Sequence, residues 1–182
     1  MVSKAADRLS EGGSEPSERQ LALEIRSWRF GFAILQGDDL LEVGARRYPS
    51  GGAETAIKSL TFLIRLYRPS AVITRTTRRA RQGSSQRASF VSNRIMGEVK
   101  RHSIRYVVVP RRDVRKFFAS QGCRNKHEIA TLLAGRFSQL KPRLPNRRRT
   151  WDPEWYAFAL FDAVATAVTF NARNLGEVTK QK

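Results

Sequence analysis

Apolar positions along this chain switch between a period of two and a period of three to four, and each switch marks an element. Residues 21–25, Leu-Ala-Leu-Glu-Ile, predict a strand. Residues 28–35 predict a second strand and residues 40–47 a third, with Gln36, Gly37, Asp38 and Asp39 as the turn between the last two. Together they predict an antiparallel meander. Ser50, Gly51 and Gly52 interrupt the pattern, after which Ala56, Ile57, Leu60, Leu63, Ile64 and Leu66 follow helical spacing up to Pro69. Residues 71–74 read as a short buried strand, 75–87 as a polar run dense in arginine, 88–101 as a helix, and 104–109 as the most apolar strand of the chain.

Pro110 suits the first turn of a helix that buries Val114, Phe117 and Phe118. Asn125 with Glu128 three residues on is the signature of a capping box, opening a helix through Phe137. Residues 141–150, with Pro142 and Pro145, predict a basic loop, and Asp152 with Pro153 an N-cap and first position for a long final helix to Arg173. Trp151, Trp155 and Tyr156 are expected to anchor that helix on the sheet, ahead of stacking on bases. The order of elements predicts an α/β fold in which one mixed sheet, a three-strand antiparallel meander plus two parallel strands, is flanked by helices. Residues 1–19, rich in Ser, Gly and Glu, are expected to form a disordered tail, 20–173 a single domain, and 174–182 a flexible C-terminal tail.

Charge narrows the function. The 182 residues hold 34 Lys and Arg against 16 Asp and Glu, a formal charge of +18. Acids outnumber bases in residues 1–19, so the excess belongs to the domain. Such a surface attracts polyanions, which makes nucleic acid the expected partner, ahead of an anionic membrane surface. No apolar run approaches the roughly 18 residues a spanning helix needs, and the N-terminal residues do not read as a signal or transit peptide. Cys123 is the one cysteine, which excludes an internal disulfide and fits the cytoplasm, at the nucleoid in a prokaryote. His102 and His127 lie far apart without paired cysteines, so a zinc site is not expected.

The candidate chemistry starts from two lone acids, Glu24 in the apolar residues 21–35 and Asp162 in 160–170. A buried carboxylate is costly unless something pairs with it. Two readings stay open with equal weight, ordinary ion pairs at the sheet edge or a small negative site that a fold has gathered from both ends of the chain. Arg75, Arg78, Arg79, Arg81 and Arg87 follow one another without an intervening acid, which favours phosphate contact over a solvated loop, and Arg147, Arg148 and Arg149 present the same case. Lys126 at a helix start is as well explained by solvent as by a phosphate.

Residues 21–24 with Trp28 to Ala33, residues 67–73, Asn125 with Lys126, and residues 160–167 resemble, in order and spacing, the ribonuclease H-like superfamily and within it the RuvC-type Holliday junction resolvases. The resemblance spans residues 21–172. It implies a homodimer acting on DNA ahead of RNA, and a centre where about four acidic or histidine ligands hold two magnesium ions for phosphodiester cleavage. Glu24 and Asp162 match the first and last of those ligands. The fourth-strand acid falls on Arg75 and the position one turn before Asp162 is Ala159, neither of which ligates a metal. Glu154 is the nearby acid that would compensate, since Asp152 is committed to capping. The leading expectation is therefore a nucleic-acid-binding protein on a RuvC-like scaffold, catalytically degenerate and without a cofactor. The alternatives are a structure-specific endonuclease holding Mg2+ or Mn2+ through Glu24 and Asp162, and a structural subunit of a nucleoprotein assembly.

Overall fold

The computed structural model describes residues 18–48, 52–75, 84–146 and 157–178. Strands β1 (Arg19–Ile25), β2 (Arg29–Gln36) and β3 (Asp39–Arg47) form the antiparallel meander that their alternation requires. Gly37 takes φ 56° in the turn that closes the second hairpin. Helix α1 (Ala53–Tyr67) then crosses over to β4 (Ala71–Arg75), and α2 (Ser84–Arg101) crosses to β5 (Arg105–Val109). Both later strands run parallel to β1, giving one sheet in the order β3-β2-β1-β4-β5. Helices α3 (Arg111–Ala119) and α4 (Lys126–Arg136), a 3-10 turn (Ser138–Arg143) and α5 (Phe158–Val178) complete the described chain.

The period of two sorts the sheet into unlike faces. Leu21, Leu23, Ile25, Phe30, Phe32 and Ile34 point toward α1 and α2, where they pack with Leu60, Leu63, Val91 and Ile95. Ala22 and Ala33 point the other way, toward Ala163, Val164 and Ala167 of α5. Large residues thus hold the crossover helices at a distance, whereas alanines on both partners let α5 come close to β1 and β2. Phe158, Phe161, Ala165 and Val168, which share a stripe of α5 near Asp162 by spacing of three and four, are all buried.

Several sequence expectations need correction. The apolar strand expected at 104–109 starts at Arg105, and it lies at the edge of the sheet, where nothing pairs with its outer side among the described residues and Val108 is 49% exposed. Helix α2 starts at Ser84, so Arg87 belongs to a helix and not to the arginine-rich run before it. Phe117 is only partly buried, beside a fully buried Phe118. Part of the expected basic loop at 141–150 is the 3-10 turn, whose Gln139 and Arg143 side chains donate to the Leu40 and Val43 carbonyls on the outer edge of β3. Helix α5 runs on to Val178, past Arg173. The N-terminal segment 1–17, Arg78, Arg79, Arg81, Arg147, Arg148, Arg149, the aromatic residues 151, 155 and 156, Asp152, Pro153 and Glu154 lie outside the described residues.

Candidate nucleic-acid interface

The alternation that sends Ala22 toward α5 sends Glu24 the same way, at the carboxyl end of β1. Arg75, the last residue of β4, shares that side with Ile73. Asp162 descends on them from α5. Approach this close depends on Gly31, which pairs with Glu24 across the β1–β2 ladder. A Cβ at Gly31 would overlap the Ala159 carbonyl and stand 2.7 Å from the Leu160 amide nitrogen, so the missing side chain is the space the helix occupies.

The two carboxylates do not face each other alone. Arg75 lies between them, with Nη2 2.5 Å from Glu24 Oε1 and Nη1 3.3 Å from Asp162 Oδ1. Arg26 closes a second bridge, its Nη2 2.6 Å from Asp162 Oδ2 and its Nε 3.7 Å from Glu24 Oε1. Lys126, the first residue of α4, adds Nζ at 3.4 Å from Asp162 Oδ2. Among the described residues, three cations therefore surround two carboxylates, and their formal charges sum to a positive value.

Its electrostatics follow from burial. Removal from water pushes the Glu24 carboxyl above its ordinary value, against the pull of Arg75 and with the help of Asp162. Burial alone would weaken the charge on Arg75, but Asp162 and Glu24 outweigh it and hold the guanidinium charged. In such a setting, removing one partner costs more than forming the set gains, because an uncompensated charge is left behind. Among the described residues the donor set does not fit a pair of divalent ions. A hard cation takes about six oxygens, whereas both carboxylates here are already engaged by guanidinium or ammonium groups, and no group of three or more His, Cys, Asp or Glu side chains gathers among the described residues.

Lys126 links the cluster to a basic groove of about 660 Å3 between α3 and α4, walled by Arg111, Arg115, Arg124 and Lys126, with Cys123 in its lining. The corner between the helices is fixed by the expected cap: Asn125 Oδ1 accepts the His127 and Glu128 amides at 3.0 Å each, and Glu128 returns to accept the Arg124 amide at 2.6 Å. That backbone hydrogen bond holds the Glu128 carboxyl below the usual range. The tight cap orients Arg124 and Lys126 toward one concavity.

Of the residues singled out from sequence, Glu24, Asp162, Arg75 and Lys126 converge, while the Arg87 guanidinium lies 3.8 Å from the centre of the Trp28 ring. Sequence reasoning missed Arg26, although its position two residues beyond Glu24 puts it on the same side of the extended chain. It also missed Arg111 and Arg115, whose i, i+4 spacing puts them on one face of α3 without telling that face from a solvated one.

No protein-family model matches the chain, and no curated protein sequence does. The backbone is nevertheless similar to solved structures. Against the RuvC of Thermus thermophilus the TM-score is 0.66 at 13% identity, over 87% of this chain and 96% of that one. The same enzyme in complex with Holliday junction substrate gives 0.64, again at 13% identity over 87% and 96%. The yeast mitochondrial Holliday junction resolvase Ydc2 gives 0.61 at 11% identity, over 86% of this chain and 78% of that chain. The fold is the ribonuclease H-like fold in its RuvC form.

Proposed function

We propose that this chain binds nucleic acid on a RuvC-like scaffold whose catalytic centre has been replaced by an ion-pair cluster. The observation that carries the reading is the Arg75 guanidinium between Glu24 and Asp162, at 2.5 and 3.3 Å. A fixed organic cation there takes a metal's place between the two carboxylates, offsetting their charge together with Arg26 and Lys126 and tying β1, β4 and α5 together. It does not generate a nucleophile from water, which is the task a catalytic divalent ion performs.

Affinity comes instead from charge. The formal excess of +18 is large for 182 residues, and the α3–α4 groove concentrates part of it beside the cluster. Lysine and arginine that neutralise phosphates release counterions, so binding falls steeply as salt rises. The similarity to a RuvC captured with Holliday junction substrate supports DNA over RNA and branched over linear duplex, and a homodimer is the binding unit we propose on the resemblance to the resolvases.

The test uses purified full-length chain with labelled duplex and four-way junction DNA, measured by anisotropy over a salt series and then incubated with Mg2+ or Mn2+. The reading expects salt-steep binding without metal and cleavage at background. Efficient cleavage that Glu24→Ala or Asp162→Ala abolishes would instead establish a metal-dependent endonuclease. Binding that appears only with a protein partner would establish an assembly subunit.

A further inference from the structure

Trp28 is presented in an unusual way. Phe30, Phe32 and Tyr48 are all buried against the α1–α2 side of the sheet, yet Trp28, at the turn leading into β2, is 54% exposed. The turn that carries it is tightly held. The Arg26 amide donates to the Arg29 carbonyl at 2.9 Å, the Tyr48 amide donates to the Trp28 carbonyl at 2.9 Å, and the buried Tyr48 hydroxyl donates to the Arg26 carbonyl. A backbone secured from three directions does not collapse to hide an indole.

The ring itself is oriented by Arg87 from α2, whose guanidinium lies 3.8 Å from the ring centroid. Two residues before Trp28, Arg26 reaches Asp162 at 2.6 Å, so one short turn carries both the exposed aromatic residue and a member of the cationic cluster. A flat aromatic face beside fixed positive charge is the combination that holds single-stranded nucleic acid, the base on the ring and the backbone on the cations.

We infer that Trp28 is a base-stacking platform, on which an unpaired nucleobase of the bound strand lies while its phosphates meet the cations around Arg26. The inference rests on the nucleic-acid reading above and adds the structural state of the substrate: a strand with a base out of its stack, as at a junction, gap or single-stranded segment. Stacking on an aromatic side chain accepts every base, so the platform confers preference for unpaired structure and not for sequence. It is also non-ionic, which separates it experimentally from the arginines.

Anisotropy with a labelled single-stranded oligonucleotide, and with the same strand carrying abasic sites, tests it on full-length wild-type protein, Trp28→Ala and Trp28→Phe, each checked by thermal melting. Trp28→Ala is expected to weaken binding of the intact strand by about 5- to 150-fold with an unchanged salt slope. Trp28→Phe should retain most of the affinity, and the abasic strand should bring wild-type binding down to the Trp28→Ala level. If Trp28→Ala does not fold, the wild-type preference for intact over abasic strand and the behaviour of Trp28→Phe decide. Equal binding of intact and abasic strands by wild-type protein, or a loss in Trp28→Ala that is the same on both strands, overturns the platform alone. An absence of nucleic-acid binding by wild-type protein overturns the nucleic-acid reading with it.

Discussion

Gly31 lies directly beneath Ala159, with no space between them for even a methyl group. That contact is backbone against backbone, so no side chain can swing aside to relieve it. Replacing Gly31 by Ala is therefore expected to lift α5 from the sheet and lower stability by about 3 kcal/mol, the upper part of the overpacking range. Urea unfolding checks this, with the midpoint falling in the variant. A Gly31→Ala protein as stable as wild type would mean that α5 does not press on β2 at this position.

The raised pKa of Glu24 sets a pH dependence with a definite sign. A carboxyl whose folded pKa lies above its unfolded value binds protons more tightly when folded, so its contribution is fully present below about 4.5 and is lost as pH rises through the folded pKa. Glu24→Gln removes that titration. The stability of wild type relative to Glu24→Gln should therefore increase as pH is lowered from 7 toward 4.5, measured by urea unfolding at each pH. A difference that stays constant, or that moves the other way, would show that Arg75 prevails over burial at this carboxyl.

Exchanging the central cation for an acid should reverse the preference of the cluster. Arg75→Glu places a third carboxylate beside Glu24 and Asp162, which favours a hard divalent ion. The variant is expected to melt below wild type without metal and to gain about 5 °C or more with saturating Mn2+. Wild type should show no comparable gain. An equal shift in wild type would point to a metal site that Arg75 does not block.

The α3–α4 groove predicts a change in slope and not merely in affinity. Replacing Arg111, Arg115 and Arg124 together by Ser should reduce the dependence of log affinity on log salt by about 2 to 3 units, close to 0.9 for each phosphate that is no longer neutralised. Melting temperature reports whether the fold survives, since Asn125 and Glu128 still cap α4 in the variant. An unchanged slope would move the phosphate-binding surface to another face.

Much of this geometry is legible in the sequence because it carries a local cost. An acid in an apolar run demands a partner, which singles out Glu24 and Asp162, whereas Arg75 is placed with them by the resemblance to the resolvases, and the cap at Asn125 is written in two residues three apart. What stays hidden depends on neighbours that the local sequence does not name. The apolar run at 104–109 does not tell an interior strand from an edge, and β5 is an edge at which Val108 stays half-exposed. Arg111 and Arg115 look like any solvated helix face until α4 folds back to make the other wall. The start of α2 escapes a pattern reading because Ser84 to Arg87 continues the polar run that precedes it, leaving no change of period to mark the boundary.

Arg26 and Asp162 are separated by 136 positions along the chain, whereas the β1–β2 and β2–β3 hairpins close between near neighbours. Loop closure over such a span is the slow, entropically expensive kind, so the meander is expected to assemble first and the ionic cluster last. During synthesis the ribosome releases Glu24, Arg26 and Arg75 long before Asp162. Until α5 arrives, the two guanidiniums have a single carboxylate between them, and a nascent chain in that condition exposes stronger uncompensated positive charge at this spot than the finished protein does.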